Sequence, residues 1–170
     1  MRKLSSWKRT LFWSLCIASI SFNLYSISLK KRVSSKKSAL PFCEINSIIN
    51  CTAAMTSERY NRGIGGLGLL FFSKKNIINK TPNEIFGIVF CGCLLLLDLF
   101  MKNSFKLIYM LVILGNISTI IFVYILIIKI RVLCILCFFQ YGLLWILLKL
   151  LRRTRNEKNF QLCKEKKKMK

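Results

Sequence analysis

Two pairs of cysteines carry the reactive chemistry of this 170-residue chain. Cys134 and Cys137 stand three apart in the apolar run RVLCILCFFQY, and Cys43 and Cys51 bracket the segment CEINSIINC. Residues three apart on a helix share a face with Cα atoms about 5 Å apart, a span a disulfide can close. A thiol in a first helical turn faces unsatisfied N–H groups and the positive end of the helix dipole, which lower its pKa. Lys129 and Arg131 just upstream are expected to add to this effect, and apolar surroundings to oppose it. In a regular helix Cys43 and Cys51 would be about 12 Å apart, beyond disulfide reach. A bond between them requires the segment to bend or unwind, which suits a mobile shuttle better than a rigid staple. Thiol–disulfide exchange passes electrons between such pairs through a mixed disulfide. An outer pair on a loop and an inner pair in a bilayer helix would make a two-stage relay.

The chain has no histidine. That excludes His-dependent triads, His-ligated zinc catalysis and haem ligation by histidine. Proton transfer is left to thiols, tyrosines, water and the six carboxylate side chains. A C-x-x-C pair in an apolar helix can also be small hydrophobic filler; the second pair weighs against that. Zinc held by all four thiolates would lock the loop and strand charge at the membrane, so no metal is expected. Cys16, Cys91 and Cys93 fall within apolar stretches and Cys163 in the basic tail, and these four read as structural.

The elements that must position the thiols follow from hydropathy. The chain is 54% hydrophobic with a formal charge of +22, and the two features are segregated into apolar blocks and basic connections. Nucleic-acid binding is the other usual meaning of such charge, but no recognition motif accompanies it. Four stretches approach the roughly 20 residues needed to cross a bilayer: 11–29, 85–101, 107–128 and 132–151. The expected fold is a single all-α domain over 1–170, a four-transmembrane-helix bundle. The first stretch follows a basic leader, MRKLSSWKRT, yet lacks an A-x-A cleavage site and reads as a retained anchor rather than a signal peptide. Short turns join spans two to three and three to four. A long polar connection, 30–84, precedes the second span and is expected to hold a half-helix and a segment capping the bundle.

Basic residues set the orientation. With both termini cytoplasmic, 16 of the 28 lysines and arginines lie inside. The long loop and the start of span four then face the lumen, and 152–170 forms a cytoplasmic tail. KKMK near the end of the sequence reads as a dilysine retrieval signal. The sequons at Asn50 and Asn79 are not expected to be used, one overlapping Cys51 and the other preceding Pro82.

CEINSIINC (43–51), NRGIGG (61–66), PNEIFG (82–87) and CILCFFQY (134–141) occur in an order and spacing that resembles the vitamin K epoxide reductase family. The likeness covers nearly the whole chain. It implies an endoplasmic reticulum membrane enzyme that reduces vitamin K 2,3-epoxide, and vitamin K quinone, with dithiols and no tightly bound cofactor. Carried over by motif, Cys137 is the thiol that meets substrate, and Cys134 is its resolving partner and exchanges with Cys51. Cys43 partners Cys51 and takes electrons from lumenal thioredoxin-like proteins. Asn83 and Tyr141 hydrogen-bond the substrate oxygens. Phe86, one turn from Asn83, is placed to stack on a naphthoquinone ring. The same resemblance implies a functional link to gamma-glutamyl carboxylase.

Each of these residues also has a plainer reading. Asn83 could cap the second span, and Tyr141 could be an interfacial anchor. The sequence departs from the family pattern by one extra residue near Glu58, by Tyr60 in place of tryptophan, and at Ala54 and Met55. All fall in the expected cap. Two other functions use or discard the same thiols: a DsbB-like oxidase that makes protein disulfides by reducing quinone, and a non-catalytic membrane protein.

Overall fold

The computed structural model describes residues 6–34, 49–57, 62, 77–101 and 104–168. Six helices occur among them: α1 (Ser6–Ser34), α2 (Cys51–Thr56), α3 (Ile77–Lys80), α4 (Asn83–Phe100), α5 (Phe105–Tyr124) and α6 (Ile135–Lys168). A π-helical segment, Ile125–Ile130, prolongs α5. Two isolated bridges are the only strand-like pairing among the described residues. The four long helices, α1, α4, α5 and α6, are each long and apolar enough to cross a membrane. This is the expected all-α four-helix bundle.

Side chains explain why the helices form in lipid. Hydrocarbon offers no hydrogen-bond partner, so backbone polar groups must be satisfied internally and side-chain ones gain by it. Thr10, Ser14, Ser118, Thr119 and Thr154 each donate a hydroxyl to the carbonyl four residues back, at 2.9–3.2 Å. Asn116 donates to Val112 O (2.8 Å) and to Leu144 O (3.3 Å), tying α5 to α6. Asp98, the charge inside span two, accepts from Arg9 Nε (2.8 Å) and Trp13 Nε1 (2.9 Å) of α1. Large apolar side chains such as Leu114, Ile120 and Phe100 point outward, as they must when the surrounding solvent is acyl chain.

Around the ring, α1 packs against α4 and α6, and α5 against α6 and α4, leaving α4 and α6 at opposite corners. Phe12, Cys16, Cys91, Leu94, Val112 and Leu151 are at the centre of the main core. Gly115 permits a close approach of α5 to its neighbours, since a Cβ there would stand 3.0 Å from Phe90 Cζ and 3.3 Å from a Leu144 methyl. The structural cysteines behave as small hydrophobes: Cys16 and Cys91 are buried in this core, while Cys93 is exposed. A smaller cluster of Cys51, Ala54, Leu126, Val132 and Cys134 lies at the other end. There α2 packs beneath α1 and the π-helical segment.

The element boundaries differ from expectation at three places. α1 starts five residues earlier than 11, where Lys8 bonds Glu157 and Arg9 bonds Asp98, and ends five later than 29. The expected tail, 152–170, is helical as far as Lys168 and continuous with span four. Finally, α6 begins at Ile135, so Cys134 lies just ahead of the helix rather than inside its first turn. The expected half-helix is α2, six residues long and opened by Cys51. Most of the expected cap, with Glu58 and Tyr60, lies outside the described residues; Arg62 pairs with Pro82 at the start of α4.

Candidate redox site

Backbone geometry at the end of α5 delivers Cys134. Arg131 takes a left-handed conformation (φ 60°) and Val132 N–H donates to Leu126 O at 3.3 Å, which stops the π-helical segment. Leu133 is then extended and forms a parallel bridge to Ile49, with Asn50 N–H donating to Leu133 O at 3.2 Å. Asn50 also acts through its side chain, whose Oδ1 accepts from Ala53 N–H (2.8 Å) and caps α2. Each tie sits immediately before a cysteine, so Cys51 and Cys134 open their helices side by side. Both are fully buried in one apolar cluster, with Cys137 packed against it.

Cys134 is the N-cap of α6, its carbonyl accepting from Phe138 N–H at 3.1 Å. Its sulfur accepts from Cys137 N–H (3.4 Å) and from the Cys137 S–H, with 2.8 Å between the sulfurs. The Cys137 S–H holds the Cys134 thiol below its ordinary pKa, aided by the N–H groups of Cys137 and Leu136 and opposed by burial and by the Glu84 carboxylate. The polarity is that of an N-cap, where a negative side chain meets unsatisfied donors. Lys129 and Arg131, expected to assist, are exposed and are not among the charges acting on Cys134. Cys134 and Cys137 are free thiols, whereas Cys51 is disulfide-bonded. Its bonding partner lies outside the described residues, as does Cys43.

Opposite the thiols, α4 opens with Asn83. The N-cap of that helix is Pro82 and no side chain caps it, so the reading of Asn83 as a helix cap is corrected. Asn83 and Phe86 are half-buried at the thiol end of the bundle. Tyr141, one turn along α6 from Cys137, is also half-buried and meets Phe138 edge-on (6.1 Å between centroids, 70°). Asn83 and Phe86 on α4, and Cys134, Cys137 and Tyr141 on α6, therefore occupy the same end of two helices that stand at opposite corners.

Three polar residues of the spans join those corners, and the sequence reading missed them. Ser19 Oγ accepts from Cys91 S–H on α4 (3.3 Å) and from the Gln140 amide on α6. Asn23 donates to Ser19 O (2.8 Å) and fills the space beside Gly87, where a Cβ would come within 2.9 Å of its amide. Gln140 is adjacent to Tyr141 and keeps Oε1 buried without a partner. The available signal was their polarity inside apolar stretches. Glu84 was missed as well. It lies in the first turn of α4, has Oε2 buried without a hydrogen bond, and its charge reaches Cys134 and Lys30. A first-turn glutamate ordinarily reads as a helix-dipole partner, which hides any role toward a neighbouring thiol.

A free dithiol whose sulfurs touch, beside a bonded cysteine in one water-excluded cluster, is equipped for disulfide exchange. The model of the family described as the vitamin K epoxide reductase family matches residues 4–151.

Proposed function

The chain belongs to the vitamin K epoxide reductase family, a family of multi-pass membrane oxidoreductases, and from that premise we propose that it reduces vitamin K epoxide and quinone by a two-stage dithiol relay. The observation that carries this reading is the burial of Cys51 and Cys134 in one cluster with Cys137 against it. Cys137 attacks the substrate carbon, and its proton passes to the Cys134 sulfur, the acceptor of its S–H. In a chain without histidine, the neighbouring thiolate serves as base. Asn83 and Tyr141 donate to the two substrate oxygens as negative charge develops there, and Phe86 stacks on the ring.

Cys134 then attacks the Cys137 sulfur and the carbon–sulfur bond breaks, its electron pair remaining with the substrate. For the epoxide, the thiolate–thiol pair becomes a disulfide, the oxygen leaves as water with the Cys137 hydrogen and one proton taken up from solvent, and the quinone results. For the quinone, the same two electrons and two protons give the hydroquinone. Cys51, reduced with its partner, attacks Cys134 and regenerates the pair. The lumenal donor to Cys43 is a thioredoxin-like dithiol, the membrane is that of the endoplasmic reticulum with both termini cytoplasmic, and the hydroquinone supplies gamma-carboxylation.

The test is purified protein in detergent with dithiothreitol and vitamin K epoxide, followed by chromatography of quinone and hydroquinone. Wild type is expected to convert the epoxide and Cys137→Ala to lose turnover by at least about a thousandfold, as for loss of a covalent nucleophile. Equal rates in the two proteins would overturn the proposal. Reduction of quinone without any turnover of epoxide would favour the disulfide-forming oxidase instead.

A further inference from the structure

At the end of the bundle remote from the thiols, α5 and α6 part around a cavity of about 480 Å3. Leu148, Arg152, Arg155, Asn156 and Asn159 line it from α6, positions that recur at helical spacing and so form one stripe. Tyr109 and Ile113, four apart on α5, form the facing wall. The lining is graded along the membrane normal. Ile113 and Leu148 lie well inside the two spans, Arg152, Arg155 and Asn156 lie in the last two turns of span four, which ends at Glu157, and Asn159 lies just beyond it.

Among the described residues the cations of this stripe have no anionic partner. Arg155 stacks over the Tyr109 ring at 5.0 Å, and neither Arg152 nor Arg155 makes an ion pair among the described residues. The nearest carboxylate in sequence, Glu157, is occupied by Lys8 and by Arg153 (3.4 Å). Asn156 and Asn159 make no side-chain hydrogen bond among the described residues, so two guanidinium groups and two amides line the cavity, all four exposed and open to an incoming ligand. Planar guanidinium groups are suited to phosphate oxygens. An apolar floor at acyl-chain depth under cationic walls at headgroup depth matches a phospholipid. A quinone or its epoxide, which has no anionic group, does not fit this lining.

We infer that the cavity between α5 and α6 is a binding site for the headgroup of an anionic phospholipid, with Arg152 and Arg155 on the phosphate, Asn156 and Asn159 donating to the headgroup oxygens, and an acyl chain along Ile113 and Leu148. The inference is independent of the redox reading, because the site shares no residue with the thiols.

Native mass spectrometry of the full chain, released from mixed micelles of phosphatidylserine and phosphatidylcholine, tests it. Wild type is expected to retain phosphatidylserine preferentially, and Arg152→Gln/Arg155→Gln to lose about 30-fold in apparent affinity, roughly fivefold for each arginine. Arg153→Gln, on another face of α6, is the matched control and should keep wild-type retention. Should the double variant melt early, Arg152→Gln alone should lose about fivefold. An equal loss in the Arg153 control would mean a diffuse basic surface and overturn the site. Displacement of the lipid by inorganic phosphate at equal concentration would mean a free-anion site and overturn the lipid assignment.

Discussion

Removing the Cys137 sulfur should convert a transient exchange into a stable product. In Cys137→Ala, Cys134 keeps its buried place beside Cys51, which is disulfide-bonded; its attack on the Cys51 sulfur releases the former partner of Cys51 as a thiol, and Cys134 has no neighbouring thiol on its own helix to resolve the new bond. The Ile49–Leu133 bridge puts the two cysteines on neighbouring rungs. A strand spacing of about 4.8 Å with an offset of about 3.3 Å places their Cα atoms roughly 6 Å apart, inside the bridging limit of about 7 Å. In an unfolded chain, closing the loop from 51 to 134 instead of 43 to 51 costs roughly 2 kcal/mol more loop entropy, about 30-fold against the long bond. The folded chain already holds the ends together, so that penalty is absent from the native exchange.

The expected outcome is a 51–134 disulfide in more than about half of the native Cys137→Ala molecules, and in a few per cent, roughly the loop-entropy ratio, after equilibration in denaturant with a glutathione buffer. The assay is alkylation with N-ethylmaleimide, non-reducing digestion and mass spectrometry of linked peptides. Cys137→Ser repeats the test with a side chain nearer in shape to the original. Complete alkylation of Cys134 in both native variants, with no linked peptide, would refute the relay. It would leave the bundle and its spans untouched.

Because the Cys137 S–H lowers the Cys134 pKa, the alkylation midpoint of Cys134 in a Cys51→Ala background should lie below that of an ordinary free thiol. Adding Cys137→Ala should raise that midpoint, and Glu84→Gln, which removes an opposing negative charge, should lower it; a pH series of iodoacetamide rates reads both directions. Asp98→Ala strands Arg9 and Trp13 and should cost about 2 kcal/mol, the usual loss for hydrogen bonds to a charged group, measured by unfolding in detergent. Gly87→Ala drives a Cβ into the Asn23 amide at 2.9 Å and should destabilise by about 1–3 kcal/mol. Gly92→Ala meets nothing within 4 Å and should be neutral or stabilising by up to about 1 kcal/mol, so equal melting of these two variants would contradict the packing of α1 on α4.

Hydropathy revealed the four spans because the bilayer imposes their length on the sequence. It failed at their ends for the same reason: a hydropathy window registers hydrocarbon, while α1 and α6 run past it. At the N-terminal end of α1 the partners are distant in sequence, Lys8 with Glu157 and Arg9 with Asp98. No local pattern announces a pair separated by most of the chain. The apolar stretches made the burial of Cys16 and Cys91 legible, whereas the S–H bond from Cys91 to Ser19 and the exposure of Cys93 were not.

The Cys134–Cys137 pair was legible as C-x-x-C, but its most consequential property was not. Whether Cys134 caps α6 or sits within it depends on where α5 stops, and that stop lacks the usual glycine. Arg131 instead takes the left-handed conformation at φ 60°, a choice that costs a non-glycine residue roughly 1 kcal/mol or more and that the triplet KIR does not advertise. The tertiary tie between Asn50 and Leu133 supplies a compensating bond. One backbone reversal thereby stops α5, aligns Cys51 beside Cys134, and leaves the Cys134 sulfur facing the first N–H groups of α6. Had the helix begun at Val132, as the hydropathy suggests, Cys134 would be an ordinary first-turn residue and the bridge to Ile49 could not form. The position of that helix start, more than the cysteine spacing, is what makes exchange between the two cysteines geometrically possible.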